Sequence, residues 1–249
     1  MNYGCEGLTA LISGGTSGIG LAVAKTLLED GATIYIIGRN LERGQRAVAE
    51  LESKTGKQAT FLPCDVTQPN SISKALKGLR KIDILVNCAG IYKEQRLEEV
   101  TEQDYTRMFD VNVKGTLLLT QAVLPLLQRG ACVVNVASDA GISGNYGCPV
   151  YCASKGAVVA LTKALALDLA PSVRVNCVCP ADIDTPLLQE QLAAANGSYT
   201  LADVAEAYPL GRVGQAEEVA HVICAIASPS NSFMTGAIVP VDGGITAKG

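Results

Sequence analysis

Tyr151 and Lys155 stand four residues apart in Val150–Ala170, a stretch with helical spacing, so both side chains share one helix face. A phenol titrates near pH ~10 and is a poor proton carrier at neutrality. An ammonium beside it favours the phenolate and is expected to move it down, towards the useful acid–base range. Ser138 closes the strand-like run Ala131–Ala137, where a hydroxyl projects from the carboxyl edge of a sheet and can donate to a substrate oxygen. Read singly, Tyr151 fits packing and Lys155 a solvated face. Read together, they describe a proton-transfer site that needs no histidine. The only histidine, His221, lies in the apolar run Val219–Ala227 and reads as part of a packed helix, which leaves a Ser-His-Asp or Cys-His hydrolase without a base.

A second constellation is the glycine cluster Gly14-Gly15-Thr16-Ser17-Gly18-Ile19-Gly20, between the first strand-like run, Leu8–Ser13, and the helical segment Leu21–Asp30. Glycines let the chain turn tightly and let a pyrophosphate approach without Cβ in the way. The helix that follows offers free N–H groups and its positive end. The spacing differs from the commoner G-x-G-x-x-G and lacks the lysine of a P-loop. A plain strand–helix turn is the bland reading, and the position at the first strand–helix junction favours the dinucleotide. Gly38-Arg39-Asn40 follows the second strand, Ile34–Ile37, with no carboxylate before Glu42. An arginine there accommodates a ribose 2′-phosphate, whereas an acidic residue would hold the ribose hydroxyls. The cofactor expected is therefore NADP, with NAD as the alternative should Glu42 reach back.

The elements that must position these residues alternate. Further strand-like runs are Ala59–Pro63, Ile82–Asn87, Ala131–Ala137, Val173–Val178 and Ala237–Val241. Helical segments are Glu42–Lys54, Ser71–Leu79, Glu102–Leu127, Val150–Ala170 and Ala216–Ala227. Apolar strands separated by helices predict a parallel sheet covered on both faces, an α/β doubly wound Rossmann-type domain of about seven strands. Residues 1–249 read as one dinucleotide-binding and catalytic domain, with a lid-like excursion at 186–209. The substrate pocket is expected between Asp139–Tyr146 and Pro186–Pro209. Ile142, Tyr146, Leu187, Leu188 and Leu192 would form apolar walls with few fixed charges, which leaves a sterol, a sugar derivative or an acyl intermediate open.

Composition excludes other classes. Twenty Lys and Arg against 24 Asp and Glu give a net charge of −4 without a basic cluster, and only 4% of residues are aromatic, so no nucleic-acid partner is expected. No stretch reads as a membrane span of roughly 18 apolar residues, and the N-terminus has no signal-peptide pattern. Nine cysteines, an odd number, suggest reduced thiols and a cytoplasmic location. They lack a tetrad at ligand spacing, so no metal is expected.

These residues resemble the short-chain dehydrogenase/reductase family over Leu8–Gly244. The matching pieces are Gly14-x-x-x-Gly18-Ile19-Gly20, Asp65-Val66, Asn87-Cys88-Ala89-Gly90, Val111-Asn112-Val113, Ser138, Tyr151-Cys152-Ala153-Ser154-Lys155, Pro180–Thr185 and Val241-Asp242-Gly243-Gly244. The resemblance implies that Asp65 and Val66 contact adenine and that Asn87, Ala89 and Gly90 line the cofactor and brace the sheet. It implies that Asn112 holds a water in a proton relay to Lys155, that Tyr151 is the general acid/base and that Ser138 orients the substrate oxygen. It also implies that Lys155 binds the nicotinamide ribose, with Pro180, Ile183 and Thr185 by the carboxamide and phosphates. The Asp242-Gly-Gly end is similar to the segment buried in family tetramers, so a homotetramer is expected. Ser13, Cys88 and Ala181 depart from the usual threonine, asparagine and glycine.

The function implied is hydride transfer between NADP(H) and a secondary alcohol or ketone. An epimerase or dehydratase would need a longer substrate domain. A non-catalytic sensor of dinucleotide state would have no use for the Asn112, Ser138, Tyr151 and Lys155 set.

Overall fold

The computed structural model describes residues 2–248. Its elements run β1 (Thr9–Ser13), α1 (Gly18–Glu29), β2 (Thr33–Gly38), α2 (Leu41–Thr55), β3 (Thr60–Pro63), α3 (Pro69–Leu76) and β4 (Ile82–Asn87). Then follow α4 (Glu102–Phe109), α5 (Gly115–Val123), β5 (Leu127–Val136), α6 (Pro149–Leu169), β6 (Val173–Pro180) and β7 (Ile183–Asp184). The chain ends with α7 (Pro186–Ala194), α8 (Leu201–Glu206), β8 (Gly214–Gln215), α9 (Ala216–Ala227) and β9 (Ile238–Val241).

Seven strands form one parallel sheet in the order β3-β2-β1-β4-β5-β6-β9, which is the expected doubly wound α/β architecture. Alternation along each strand sorts side chains to two faces. In β1, Ala10 and Ile12 point towards α1 and α9, where Val23, Leu27, Val219 and Ile223 cover them. Leu11 points the other way, into a core with Leu85, Val133, Leu119 of α5 and Ala166 of α6. With both faces covered, β1 and β6 are buried along their whole length and read as continuous apolar runs. The strand order reverses between β1 and β4, so a crevice opens at the carboxyl ends of these strands, the usual ligand site of such sheets.

Two expectations are corrected. The single helix expected over 102–127 is α4 and α5 joined by a wide π turn at Asp110–Lys114, where the Gly115 N–H donates to the Asp110 carbonyl. It stops at Val123 because Pro125 has no N–H to continue the ladder, and Leu127 already opens β5. Secondly, α6, at 21 residues and a mean hydropathy of 1.4, is long and apolar enough by length and composition to cross a membrane. One face of it, with Val158, Thr162 and Ala166 buried, packs along β6. The excursion at 186–209 holds two short helices, α7 and α8. The small pair β7–β8, which no run of residues announces, ties its base back by pairing Ile183 with Gly214.

Candidate active site

Tyr151 and Lys155 sit on the first two turns of α6, which Pro149 opens. Ser138 follows β5 with an extended backbone, and all three line one cavity of about 330 Å3 at the carboxyl edge of the sheet. The Ser138 hydroxyl donates to Asp139 Oδ1 at 2.7 Å and accepts from the Ala140 N–H at 3.2 Å. Lys155 is buried, its Nζ donates to the Val136 carbonyl at 3.0 Å, and it lies 5.7 Å from the centre of the Tyr151 ring. Burial pushes the Lys155 ammonium below its ordinary value.

Tyr151 corrects an expectation of direction. Burial pushes its phenol well above the ordinary value, and the Asp139 and Asp182 carboxylates push the same way, while the Ser138 hydroxyl opposes them. Within the protein alone these effects outweigh the lowering expected from Lys155, and the phenol carries its proton at neutral pH. A protonated phenol beside a hydroxyl can hand a proton to a carbonyl oxygen.

Asn112 lies in the π turn, a helical distortion frequent at functional positions. It is buried, accepts from the Ile91 N–H at 2.9 Å and donates to the Ile91 carbonyl and to Ser154 Oγ, both at 3.0 Å. It thus locks the loop after β4 onto α6. A Cβ on Gly90 would stand 3.4 Å from both Asn112 Oδ1 and Lys155 Nζ, so these groups flank one point. Behind them a buried chain crosses the sheet. The Asn87 amide donates to Thr120 Oγ1 and Asn135 Oδ1, and the Asn135 amide donates to Thr162 Oγ1, at 2.8–3.0 Å.

The glycine turn has the form a pyrophosphate requires. Gly14, at φ +66°, passes so close to Ala89 that a Cβ would stand 2.9 Å from its backbone, and a Cβ on Gly20 would collide with the Gly14 carbonyl. Ser13 keeps the role its hydroxyl suggests by accepting the N–H groups of Cys88 and Ala89 at 3.1 Å. Ser17 leads into α1 without a side-chain cap, and no acidic residue occupies the first turn, so the helix presents free N–H groups and positive potential. Thr185 lies over Gly18, and Ile19, Gly90, Pro180, Ile183 and Thr185 line the cavity. The residues present fit a dinucleotide: the start of α1 would hold its phosphates, and the cavity lined by Tyr151 would receive its reactive end.

Thr16, Arg39, Asn40, Asp65 and Val66 gather at the neighbouring strand ends, outside the cavity. Asn40 caps α2 by accepting from the Arg43 N–H at 2.8 Å, and Asp65 accepts from Thr67. Val66 packs against Gly115. Arg39 is exposed and, among the described residues, has no hydrogen-bond or ion-pair partner. Glu42 pairs with Arg46 at 3.6 Å, one turn further along α2. A Cβ on Gly38 would stand 3.1 Å from the Thr16 methyl, so the ledge has little room for an acidic side chain.

The distal wall differs from its expectation. Tyr146, Leu187 and Leu188 line it, but Ile142 and Leu192 do not; Leu192 packs instead with Leu188, Tyr208 and Val213. Three carboxylates line the wall, Glu94, Asp139 and Asp182. Asp182 accepts from Tyr208 Oη at 2.6 Å, and burial raises its pKa. Glu94 accepts from Tyr199 Oη at 2.7 Å, and that phenol in turn accepts from the Gln191 amide at 3.1 Å. His221 is remote from the cavity and bonds Tyr3 Oη through Nδ1 at 2.6 Å. All nine cysteines are free, and among the described residues no group of three His, Cys, Asp or Glu is placed to hold a metal.

The family model described as enoyl-(acyl carrier protein) reductase matches residues 14–246. A cyclopentanol dehydrogenase from Comamonas sp. strain NCIMB 9872 is 38% identical over 245 residues, 96% of each chain. The chain belongs to the short-chain dehydrogenase/reductase family. It is similar also to a 3-oxoacyl-(acyl-carrier-protein) reductase of Thermotoga maritima, 38% identical over 96% of this chain and 98% of that one. Among solved structures, L-sorbose reductase from Gluconobacter frateurii, complexed with NADPH and L-sorbose, superposes with a TM-score of 0.92 at 27% identity, covering 98% of each chain. Membership of this family makes the chain an oxidoreductase, and by their names these relatives are a cyclopentanol dehydrogenase, a 3-oxoacyl-(acyl-carrier-protein) reductase and an L-sorbose reductase.

Proposed function

We propose that the protein interconverts a secondary alcohol and a ketone with NADP(H). The observation that carries this reading is the convergence of Ser138, Tyr151 and Lys155 in one cavity whose other end is the uncapped glycine turn. NADP(H), when bound, supplies or accepts the hydride. Ser138, turning its proton from Asp139 to the substrate oxygen, holds that oxygen by a hydrogen bond, and Tyr151 gives the oxygen its proton in reduction or takes it in oxidation. Lys155, fixed by the Val136 carbonyl, holds the nicotinamide ribose and favours the phenolate. Asn112 keeps the Ile91 loop in place beside it and holds the relay water. Asp65 and Val66 meet the adenine, and Arg39, free of internal partners, takes the 2′-phosphate. The NADPH bound by the sorbose reductase supports the same choice of cofactor.

The reading extends to one catalytic domain and to a cytoplasmic homotetramer. Tyr105 of α4, Leu117 of α5 and Leu167 of α6 are left exposed, which supports self-association through these helices, and light scattering tests it. The central experiment is a steady-state screen of secondary alcohols and ketones with each cofactor. Turnover with NADP(H) is expected, and its absence across the panel rejects an oxidoreductase in favour of a dinucleotide sensor.

A further inference from the structure

The wall opposite the glycine turn carries a charge pattern that the short-chain dehydrogenase/reductase fold does not require. Glu94 comes from the loop after β4, Asp139 from the loop after β5 and Asp182 from the loop after β6. The cavity's lining contains one cation, Lys155, at the floor, where its Nζ donates to the Val136 carbonyl. Each carboxylate accepts a hydroxyl from the protein: Ser138 to Asp139, Tyr199 to Glu94 and Tyr208 to Asp182. None is neutralised by an arginine or lysine. Asp139 is only 5% exposed, and beyond Ser138 its second oxygen has just a long contact, 3.4 Å, from the Asn145 amide. Asp139 lines the cavity, so this weakly satisfied oxygen has capacity for a donor from whatever fills the cavity.

We propose that Glu94, Asp139 and Asp182 select an uncharged polyhydroxy substrate, a polyol or its ketose, and reject substrates that carry a carboxylate or phosphate. This rests on the oxidoreductase reading and names its substrate class. Hydroxyl groups donate to the carboxylates, the amides of Asn145 and Gln191 serve hydroxyls in either sense, and Tyr92 and Tyr146 add aromatic surface to the lining for the C–H side of a sugar chain. An anion would meet like charge from three carboxylates that line one cavity, which suppresses wrong ligands. A single ammonium suits the wall less well, because the three carboxylates stand on three loops and each already holds a neutral hydroxyl. At about 330 Å3, part of it by the glycine turn, the cavity is also small for a sterol.

The test uses three ligands of one length: sorbitol, gluconate and glucamine. Binding to the NADP-saturated protein is measured by calorimetry, and kcat/KM is measured for each, with cyclopentanol as an uncharged control lacking further hydroxyls. Sorbitol is expected to bind at least ~10-fold more tightly than gluconate, as like-charge juxtaposition predicts. Asp182→Asn and Glu94→Gln should each narrow that gap. Glu94 lies on an exposed loop, so its variant reports even if Asp182→Asn disturbs Tyr208. Gluconate binding as well as sorbitol, glucamine binding better, or a gap unmoved in both variants overturns the proposal. Cyclopentanol turned over without sorbitol binding sinks the polyol selection and leaves the oxidoreductase. A persistent binding gap without turnover of any alcohol does the reverse.

Discussion

Asn112 and Glu94 flank the same loop and are held on opposite terms. Asn112 is 1% exposed and satisfies both ends of its amide with partners from the loop after β4 and from α6. Glu94 is exposed, and its hydrogen bond comes from one phenol on the lid. The contrast holds across the cleft. On the floor, Lys155, Ser154, Asn87 and Asn135 are buried and tied to neighbouring strands and helices. On the wall, the carboxylates have one hydroxyl each and the lid helices bury little, with Leu188 the sole buried residue of α7 and none in α8. A preorganised floor suits chemistry that must be aimed, and a loosely held wall suits a surface that chooses substrates and moves.

Removing the reacting group from the floor is the most direct way to test that division. Tyr151→Phe keeps the ring that packs edge-on against Tyr92 at 4.8 Å and deletes only the proton carrier. Turnover should fall at least ~10²-fold, the scale of general acid–base catalysis, while NADPH binding by fluorescence stays near wild type. A variant that keeps a tenth of kcat would move the proton transfer to another group.

Cofactor choice lies at the far end of the floor. Arg39→Ala should cost NADP(H) a charge-assisted bond worth about 1.5–3 kcal/mol and leave NAD(H) alone, a change of roughly 10- to 150-fold in the ratio of kcat/KM values. Glu42 is already turned towards Arg46, so it should not rescue NAD(H) binding. An unchanged ratio would make Arg39 a surface residue and assign the choice to the backbone.

The floor was legible in the sequence because periodicity fixes it. Four residues along a helix place Tyr151 and Lys155 together, and the glycines at the first strand–helix junction mark a tight turn that leaves the start of α1 open. The wall was not legible. Glu94, Asp139 and Asp182 are far apart in the chain and meet because β4, β5 and β6 are neighbours in the sheet. A signal was available, an acidic residue shortly after each of three adjacent strands, but reading it needs the strand order first. The direction of the Tyr151 shift failed for the same reason, since burial and two carboxylates from other loops outweigh the lysine that the spacing reveals.

Floor and wall meet electrostatically at Tyr151, which makes pH the probe of their coupling. Burial above all holds the proton on the phenol, and the Asp139 and Asp182 charges add to it. Oxidation needs that proton gone, so its kcat/KM should rise with pH into the alkaline range, while reduction should be strong at neutrality and fall as the phenol ionises. Asp182→Asn removes one of the charges, so both limbs should move to lower pH. Profiles for the two directions in wild type and variant decide it, and limbs that stay put or move to higher pH would show that the wall does not act on the floor.

The smallest effect is expected at the lid. Tyr199 joins the loop between α7 and α8 to the wall, donating to Glu94 at 2.7 Å and accepting from Gln191 at 3.1 Å. Tyr199→Phe removes both bonds and keeps the ring. Such a bond at a partly exposed position contributes about 0.5–1.5 kcal/mol, so substrate binding should weaken roughly 2- to 12-fold. The loss should fall on KM, because no group of the floor touches Tyr199 and the chemical step is unaltered once substrate is bound. Hydrogen exchange should speed up over residues 186–206 and stay slow in β4, β5 and α6, since the lid opens locally while the sheet opens only with the whole fold. A fall in kcat with KM unchanged would place Tyr199 in the chemistry and erase the division between floor and wall.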